Sequence, residues 1–327
     1  MPHLFLRALL VLAAAVAAAA PVHAQPAWPA AKPITLIVPF GAGGSVDATA
    51  RLVGQKLAER LKQSVVVENL TGAGGVIGVA KAVQAAPDGY TLVLGADSPI
   101  AIAKLVTPAS VKYDALKDLT PIGLVTMAPM VIVARPGLAA NNLAEVLELA
   151  RAQPGKLSYG TSGIGTVLQL AMETLKERAK VDIVHVPYRG GAQIVGDVIG
   201  NQLDLAVLVS ISAVPHIVGK RVKAIAVTSD KRVASLPDVP TVAETAGLKG
   251  FDVVAWTGLF APAHTPPAIV ERLSRELDAV LRSDEMREKL AEQGAVPGNG
   301  SPAAFAGFVE REQERYARIV KAANIHD

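Results

Sequence analysis

Along this chain, short apolar runs alternate with segments of helical period. ITLIVPF (34–40), VVVEN (65–69), TLVLG (91–95), MVIVAR (130–135), LSYGT (157–161), DIVHVPY (182–188), DLAVLVS (204–210) and AIAVTS (224–229) are rich in β-branched residues. Runs of this kind predict strands buried on both faces. Amphipathic segments such as DATARLVGQKLAERL, NNLAEVLELARAQ and TVLQLAMETLKER lie between several of them. That alternation predicts an α/β architecture with parallel sheets. From Pro266 onward the pattern is nearly all helical, in three segments that each begin near Ser, Asp or Pro.

Two of the strand ends are near copies of each other. VPFGAGGSVDATARLVGQKL begins at Val38 and VPYRGGAQIVGDVIGNQL begins at Val186. Each closes an apolar run with Val-Pro-aromatic, turns through glycine and alanine, and opens a helix. Ligands of open α/β sheets bind beyond the carboxyl ends of the strands, where helix N-termini offer unpaired N–H groups and a partial positive charge. Glycine lets a small anion approach that backbone without a Cβ in the way. Phe40, Gly41, Ala42, Gly43, Gly44 and Ser45 are therefore expected to form one jaw of a cleft. Tyr188, Arg189, Gly190, Gly191 and Ala192 form the other. NLTGAGGVIG (69–78) with Thr71, GADSPIAI (95–102) with Ser98, and YGTSGIGTV (159–167) with Ser162, Gly163 and Thr166 add further material at strand ends. Asp47 sits in the first helical turn, where a carboxylate suits the dipole, and Arg51 can pair with it at i, i+4. Asp47 is kept as a candidate ligand contact beside that structural role.

Composition narrows the setting. Arg7, the apolar run Ala8–Ala20 and Val22-His23-Ala24 form the pattern of a secretory signal, with cleavage expected after Ala24 and residues 1–24 removed. The run is shorter than the ~20 apolar residues a spanning helix needs. About 300 residues then remain, a length that suggests two domains. The chain has no cysteine and a formal charge of +3, so disulfides and thiolate chemistry are excluded. No Lys or Arg run marks a nucleic-acid face.

Other chemistries fit less well. A dinucleotide fingerprint would start at Gly41 and has Glu68 at the next strand end, but Val46 stands where its third glycine belongs. Gly160-Thr161-Ser162-Gly163-Ile164 misses the last glycine of a nucleophile elbow. A phosphate loop lacks its Gly-Lys-Ser/Thr ending. His185, His216, His264 and His326 are scattered, so neither a metal nor a cofactor is expected.

VPFGAGGSVDATAR, ENLTGAGGVIG, APDGYTLVLG, DLTPIGLV, LSYGTSGIGT, VPYRGGAQ, PHIVGKRVKAIAVTS, LPDVPTVAE and WTGLFAPAHTP follow one another at a spacing that resembles the substrate-binding proteins of tripartite tricarboxylate transporters, the Bug family. The resemblance covers essentially the whole chain after the leader. It implies a periplasmic-binding-protein fold of Venus flytrap, type II-like form, each domain a mostly parallel sheet flanked by helices, hinged on two crossing strands near Pro121–Arg135 and Val253–Pro262. Domain 1 would be 25–126 plus 257–327, and domain 2 127–256. It further implies a periplasmic, non-enzymatic receptor, monomeric, that binds a small organic acid and hands it to membrane permease subunits. Family members hold a ligand carboxylate through backbone amides and ordered water at the loop matching Phe40–Ser45, and the loop matching Tyr188–Ala192 closes over it.

Some positions depart from the family pattern: Ile100, Ala103, Gln169 and Leu208 stand where polar residues are usual. Their loss suggests a ligand with one carboxylate and an uncharged or aromatic remainder. A sensory receptor for an organic acid, or a secreted α/β enzyme, are the other readings of the same residues.

Overall fold

The computed structural model describes residues 28–188, 190–299, 301–323 and 325. The leader and its cleavage site, and Arg189, fall outside them. In chain order the elements are β1 (Ile34–Val38), α1 (Ser45–Leu61), β2 (Val65–Asn69), α2 (Val76–Val83), β3 (Thr91–Ala96), β4 (Leu119–Ala134), α3 (Leu143–Ala152), β5 (Ser158–Thr161), α4 (Val167–Ala179) and β6 (Val184–Pro187). They continue with α5 (Gly191–Ile199), β7 (Leu205–Val209), α6 (Ser210–Val218), β8 (Lys223–Val227), β9 (Val254–Pro262), α7 (Pro267–Leu281), α8 (Asp284–Glu292), β10 (Val296–Pro297) and α9 (Pro302–Ala322).

The strands run in the order β2-β1-β3-β9-β4-β7-β5-β6, with β8 and β10 pairing β4 off that path. Within the first lobe β1 lies parallel to β2 and β3, and within the second β5 lies parallel to β6 and β7. The long β4 belongs to both. Its first part, Leu119–Pro129, pairs antiparallel with β9, and its last part, Met130–Ala134, pairs antiparallel with β7 and β8. The chain returns through Val253, whose N–H donates to Thr228 O at 2.9 Å before β9 re-enters the first sheet. This is the two-lobed flytrap fold. The sheets are mixed rather than mostly parallel, because a strand leaving a lobe and one returning to it must oppose each other.

Strands β1, β3, β5, β7 and β8 follow the apolar runs, and Leu36, Leu92, Tyr159, Ala206 and Val227 are among their buried residues. β2 and β6 differ from expectation. They are edge strands, with Val66 and Val184 half exposed, so their apolar character reflects one packed face. β9 breaks its run with Trp256-Thr257-Gly258, for a reason in the packing. A Cβ on Gly258 would lie 2.0 Å from Phe305 Cζ, so glycine there admits the Phe305 ring of α9. Phe305 stands 5.0 Å from the Phe260 ring and 6.0 Å, edge-on, from Trp256. This aromatic cluster fastens the C-terminal helix to a crossing strand. Ring pairs of this geometry contribute about 0.5–1.5 kcal/mol beyond their buried area.

Candidate functional site

The first glycine turn joins β1 to α1. Gly43 takes φ +78°, the left-handed region that suits glycine, and Gly44 leads into the helix in extended geometry with no side-chain cap. Asp47 reaches back beneath the turn. Its Oδ2 accepts from Gly43 N at 2.9 Å and from Arg51 Nε at 3.0 Å, and its Oδ1 accepts from Asn69 Nδ2 at 3.0 Å. Asn69 Nδ2 also donates to Phe40 O at 3.0 Å. Burial alone would raise the Asp47 carboxyl, but the bonds from Arg51, Gly43 and Asn69 together hold it below the usual carboxylate range. Asp47 is therefore an ionised brace at the back of the turn, and the Gly43 N–H is already taken.

The second turn joins β6 to α5. Gly190 precedes the helix in fully extended backbone, again with no side-chain cap. Tyr188 N donates to Thr161 O at 2.8 Å, and its hydroxyl donates to Asp197 Oδ2 at 2.6 Å.

The two turns abut. A Cβ built on Gly190 would be 3.5 Å from Gly41 Cα, one on Gly44 4.0 Å from Gly191 N, and one on Gly43 3.8 Å from Ala192 Cβ. A second meeting of the lobes lies nearby, where a Cβ on Gly74 would come within 2.7 Å of Ile164 O.

Beneath these contacts lies a cavity with an envelope of about 720 Å³, its solvent mouth included. The first lobe contributes Phe40, Gly41, Gly44, Ser45 and Ser98, and the second Ser162, Gly190 and Gly191. Gly163 and Tyr188 line a neighbouring space that shares Phe40 and Ser162 with the cavity. Thr166 is buried behind it: its Oγ1 donates to Gly163 O at 2.8 Å and accepts from Gln169 N at the start of α4. Ala42, Gly43 and Asp47 do not line the cavity, and Thr71 is exposed outside it.

Helices α1, α4, α5 and α6 all begin at this cavity, through Ser45, Val167, Gly191 and Ile211. Those of α1, α5 and α6 carry no side-chain cap. Among the described residues no acceptor takes the N–H of Ser45 or Gly191. Uncapped starts leave donors and a partial positive charge free for an anion.

Several lining residues carry no signal in the local motifs. Thr49 stands four residues after Ser45 on the same face of α1, and its buried Oγ1 has no partner among the described residues. Its i, i+4 spacing from Ser45 could have marked it. Asp97 directly follows β3 in the cavity wall: its Oδ1 accepts from Ser98 N at 2.6 Å and Ser98 Oγ at 2.9 Å, and its Oδ2 accepts from Trp256 N at 2.9 Å. Burial pushes the Asp97 carboxyl up to about 7, against the pull of those bonds. Ser98 Oγ in turn accepts from Val167 N at 3.1 Å, a hydrogen bond between the lobes.

Of the four departures from the family pattern, only Leu208 reaches the cavity. Gln169 instead accepts from Gly165 N at 2.8 Å, and Ile100 and Ala103 are buried elsewhere. The apolar wall comes from residues such as Val46, Leu168, Ile194, Leu208 and Ile211. His185 is structural: it stacks on Tyr159 at 4.9 Å and hydrogen-bonds Thr161 Oγ1 at 2.6 Å, and burial depresses its pKa.

Two α/β lobes on crossing strands, with uncapped helix starts meeting over a shared cavity, are the architecture of the solute-binding proteins. The chain belongs to the tripartite tricarboxylate transporter family receptors, whose family model matches residues 49–325. BugT of Bordetella pertussis is 36% identical over 304 residues, 93% of this chain and 92% of that protein. The fold is shared with an R. palustris protein solved with adipate, at 34% identity over 91% of this chain and 99% of that one, TM-score 0.88. It is shared also with MatC of Rhodopseudomonas palustris with bound malate, at 33% identity over 90% of this chain and 100% of that one, TM-score 0.85.

Proposed function

We propose that this protein captures a small carboxylate-bearing organic acid between its lobes and delivers it to the membrane permease of a tripartite transporter. The observation that carries the reading is the pair of uncapped helix starts, at Ser45 and Gly191, facing one cavity from opposite lobes. A carboxylate held by N–H groups from both sides stabilises the closed form, so affinity and closure are one quantity. The closed shape is what a permease would read. Adipate and malate in two relatives support the carboxylate.

The ligand contacts we assign are Phe40, Gly41, Gly44, Ser45, Ser98, Ser162, Gly190 and Gly191, with Thr49 added. The moving bodies are 25–126 plus 257–327 and 127–256. Secretion to the periplasm follows removal of residues 1–24, and the receptor acts as a monomer. The apolar wall favours an acid with one carboxylate and an uncharged remainder.

Native mass spectrometry of protein purified from its host, followed by calorimetry with mono-, di- and tricarboxylates, tests the reading. One small acid, recovered unchanged, is the expected result. Failure of every carboxylate to bind, or chemical turnover of the bound acid, overturns it.

A further inference from the structure

We propose that Asp97 reads the charge of the ligand's far end, admitting an uncharged tail and rejecting a second carboxylate. This rests on the reading that the cleft holds an organic acid. The strand order β2-β1-β3-β9 sets Asp97 one strand beyond the glycine turn of β1, towards the crossing strands, and the bond from Trp256 N ties it to β9. An acid gripped by the two glycine turns and extending along the cavity floor thus runs towards Asp97.

Asp97 is the one charged side chain among the described residues that line the cavity. Its surroundings offer no compensating cation. From β9 it receives a backbone N–H, and from its own turn the N–H and hydroxyl of Ser98. From α9 it is faced by Glu312, a second acid, and by the Tyr316 hydroxyl. Arg315, a cation of that helix, contacts Glu312 at 3.3 Å. A ligand carboxylate arriving here meets a like charge in a water-poor site, where such repulsion is strong. An alkyl, amide or aromatic tail does not. A carboxylate tail becomes tolerable only when Asp97 takes up a proton, which its depth in the protein already favours, since burial brings its pKa close to neutrality. The protonated acid can then donate its O–H to the arriving carboxylate.

The test is calorimetry on the full chain with matched straight-chain pairs of four to eight carbons, each pair differing only in a terminal methyl or carboxylate, at pH 8 and pH 6. The monocarboxylate of a pair is expected to bind at least about tenfold more tightly at pH 8. Lowering the pH to 6 should narrow that ratio by about tenfold, the change in protonated fraction of a group titrating near 7. Asp97→Asn should abolish the pH dependence and strengthen the dicarboxylate. A mono-to-dicarboxylate ratio that is the same at both pH values in the wild type overturns the proposal, and this readout stands even if the variant does not fold. Binding of both series with no charge preference sinks the role of Asp97 but leaves the receptor reading intact, whereas failure of these and of every other carboxylate to bind sinks the receptor reading itself.

Discussion

The turn between β1 and α1 has a carboxylate beneath it, and the turn between β6 and α5 does not. Asp47 collects Gly43 N, Arg51 and Asn69 at one point, so the first turn is held in shape whether or not a ligand is present. The nearest acid in the second helix, Asp197, is taken by the Tyr188 hydroxyl, and Gly190 reaches its helix in plain extended backbone. Two near-identical sequence motifs thus make unlike jaws: one preformed, one completed by contact with its opposite. The two glycines differ in what they ask of the chain. At Gly43 the left-handed backbone angle calls for glycine, while at Gly190 the backbone is extended and an added Cβ would just touch Gly41, at 3.5 Å from its Cα.

Substituting the second jaw gives the largest effect. Gly190→Val leaves its extended backbone unstrained but adds two methyl groups beyond a Cβ that already touches Gly41, so the lobes must part and calorimetry should show at least about 100-fold weaker acid binding with an unchanged melting temperature. Near-normal affinity would show that the turns need not touch. The first jaw should fail in the opposite way. Asp47→Asn removes a buried anion that accepts from charged and neutral donors, so stability should fall by about 1.5–3 kcal/mol on denaturant unfolding, and affinity with it. A loss of affinity without loss of stability would make Asp47 a ligand contact after all.

Smaller effects separate bridging from ligand contact. Ser98→Ala deletes the bond to Val167 N between the lobes, and should weaken binding by about five- to tenfold, with a faster off-rate in stopped-flow. Thr49→Val exchanges an unpartnered hydroxyl for a methyl. Without ligand the variant should be as stable as the wild type or slightly more so, while affinity should drop by about threefold if the hydroxyl serves the acid. A destabilised Thr49→Val would mean that the hydroxyl has a partner in the ligand-free protein.

Much of this was open to reading from the chain. β1, β3, β5, β7 and β8 show themselves as apolar runs because both of their faces are covered, and the glycine turns show themselves because their geometry is settled within five or six residues. Phe40, Gly41, Gly44, Ser45, Ser98, Ser162, Gly190 and Gly191 were found by that route, and all of them line the cavity. Thr71 neighbours a glycine cluster yet lies outside, since nothing in NLTGAGG says which way its side chain turns. Asp97 carries no signal in the sequence because its meaning depends on Trp256, 159 residues away, and on α9 behind it. The apolar pattern does not show β9, which the family resemblance alone marks near Val253–Pro262, because Gly258 interrupts it and its purpose appears only once Phe305 is seen against it.

By itself, then, the sequence determined the α/β alternation, the paired glycine turns, the helix starts that follow them and the family to which they belong. These rest on backbone preferences and apolar periodicity, which act over a few residues. Tertiary structure alone decided that Asp47 turns away from the cavity while Asp97 lines it, and that Gly190 meets Gly41. Burial and hydrogen-bond partners come from segments far apart in the chain, and a carboxylate's role is set by the groups around it.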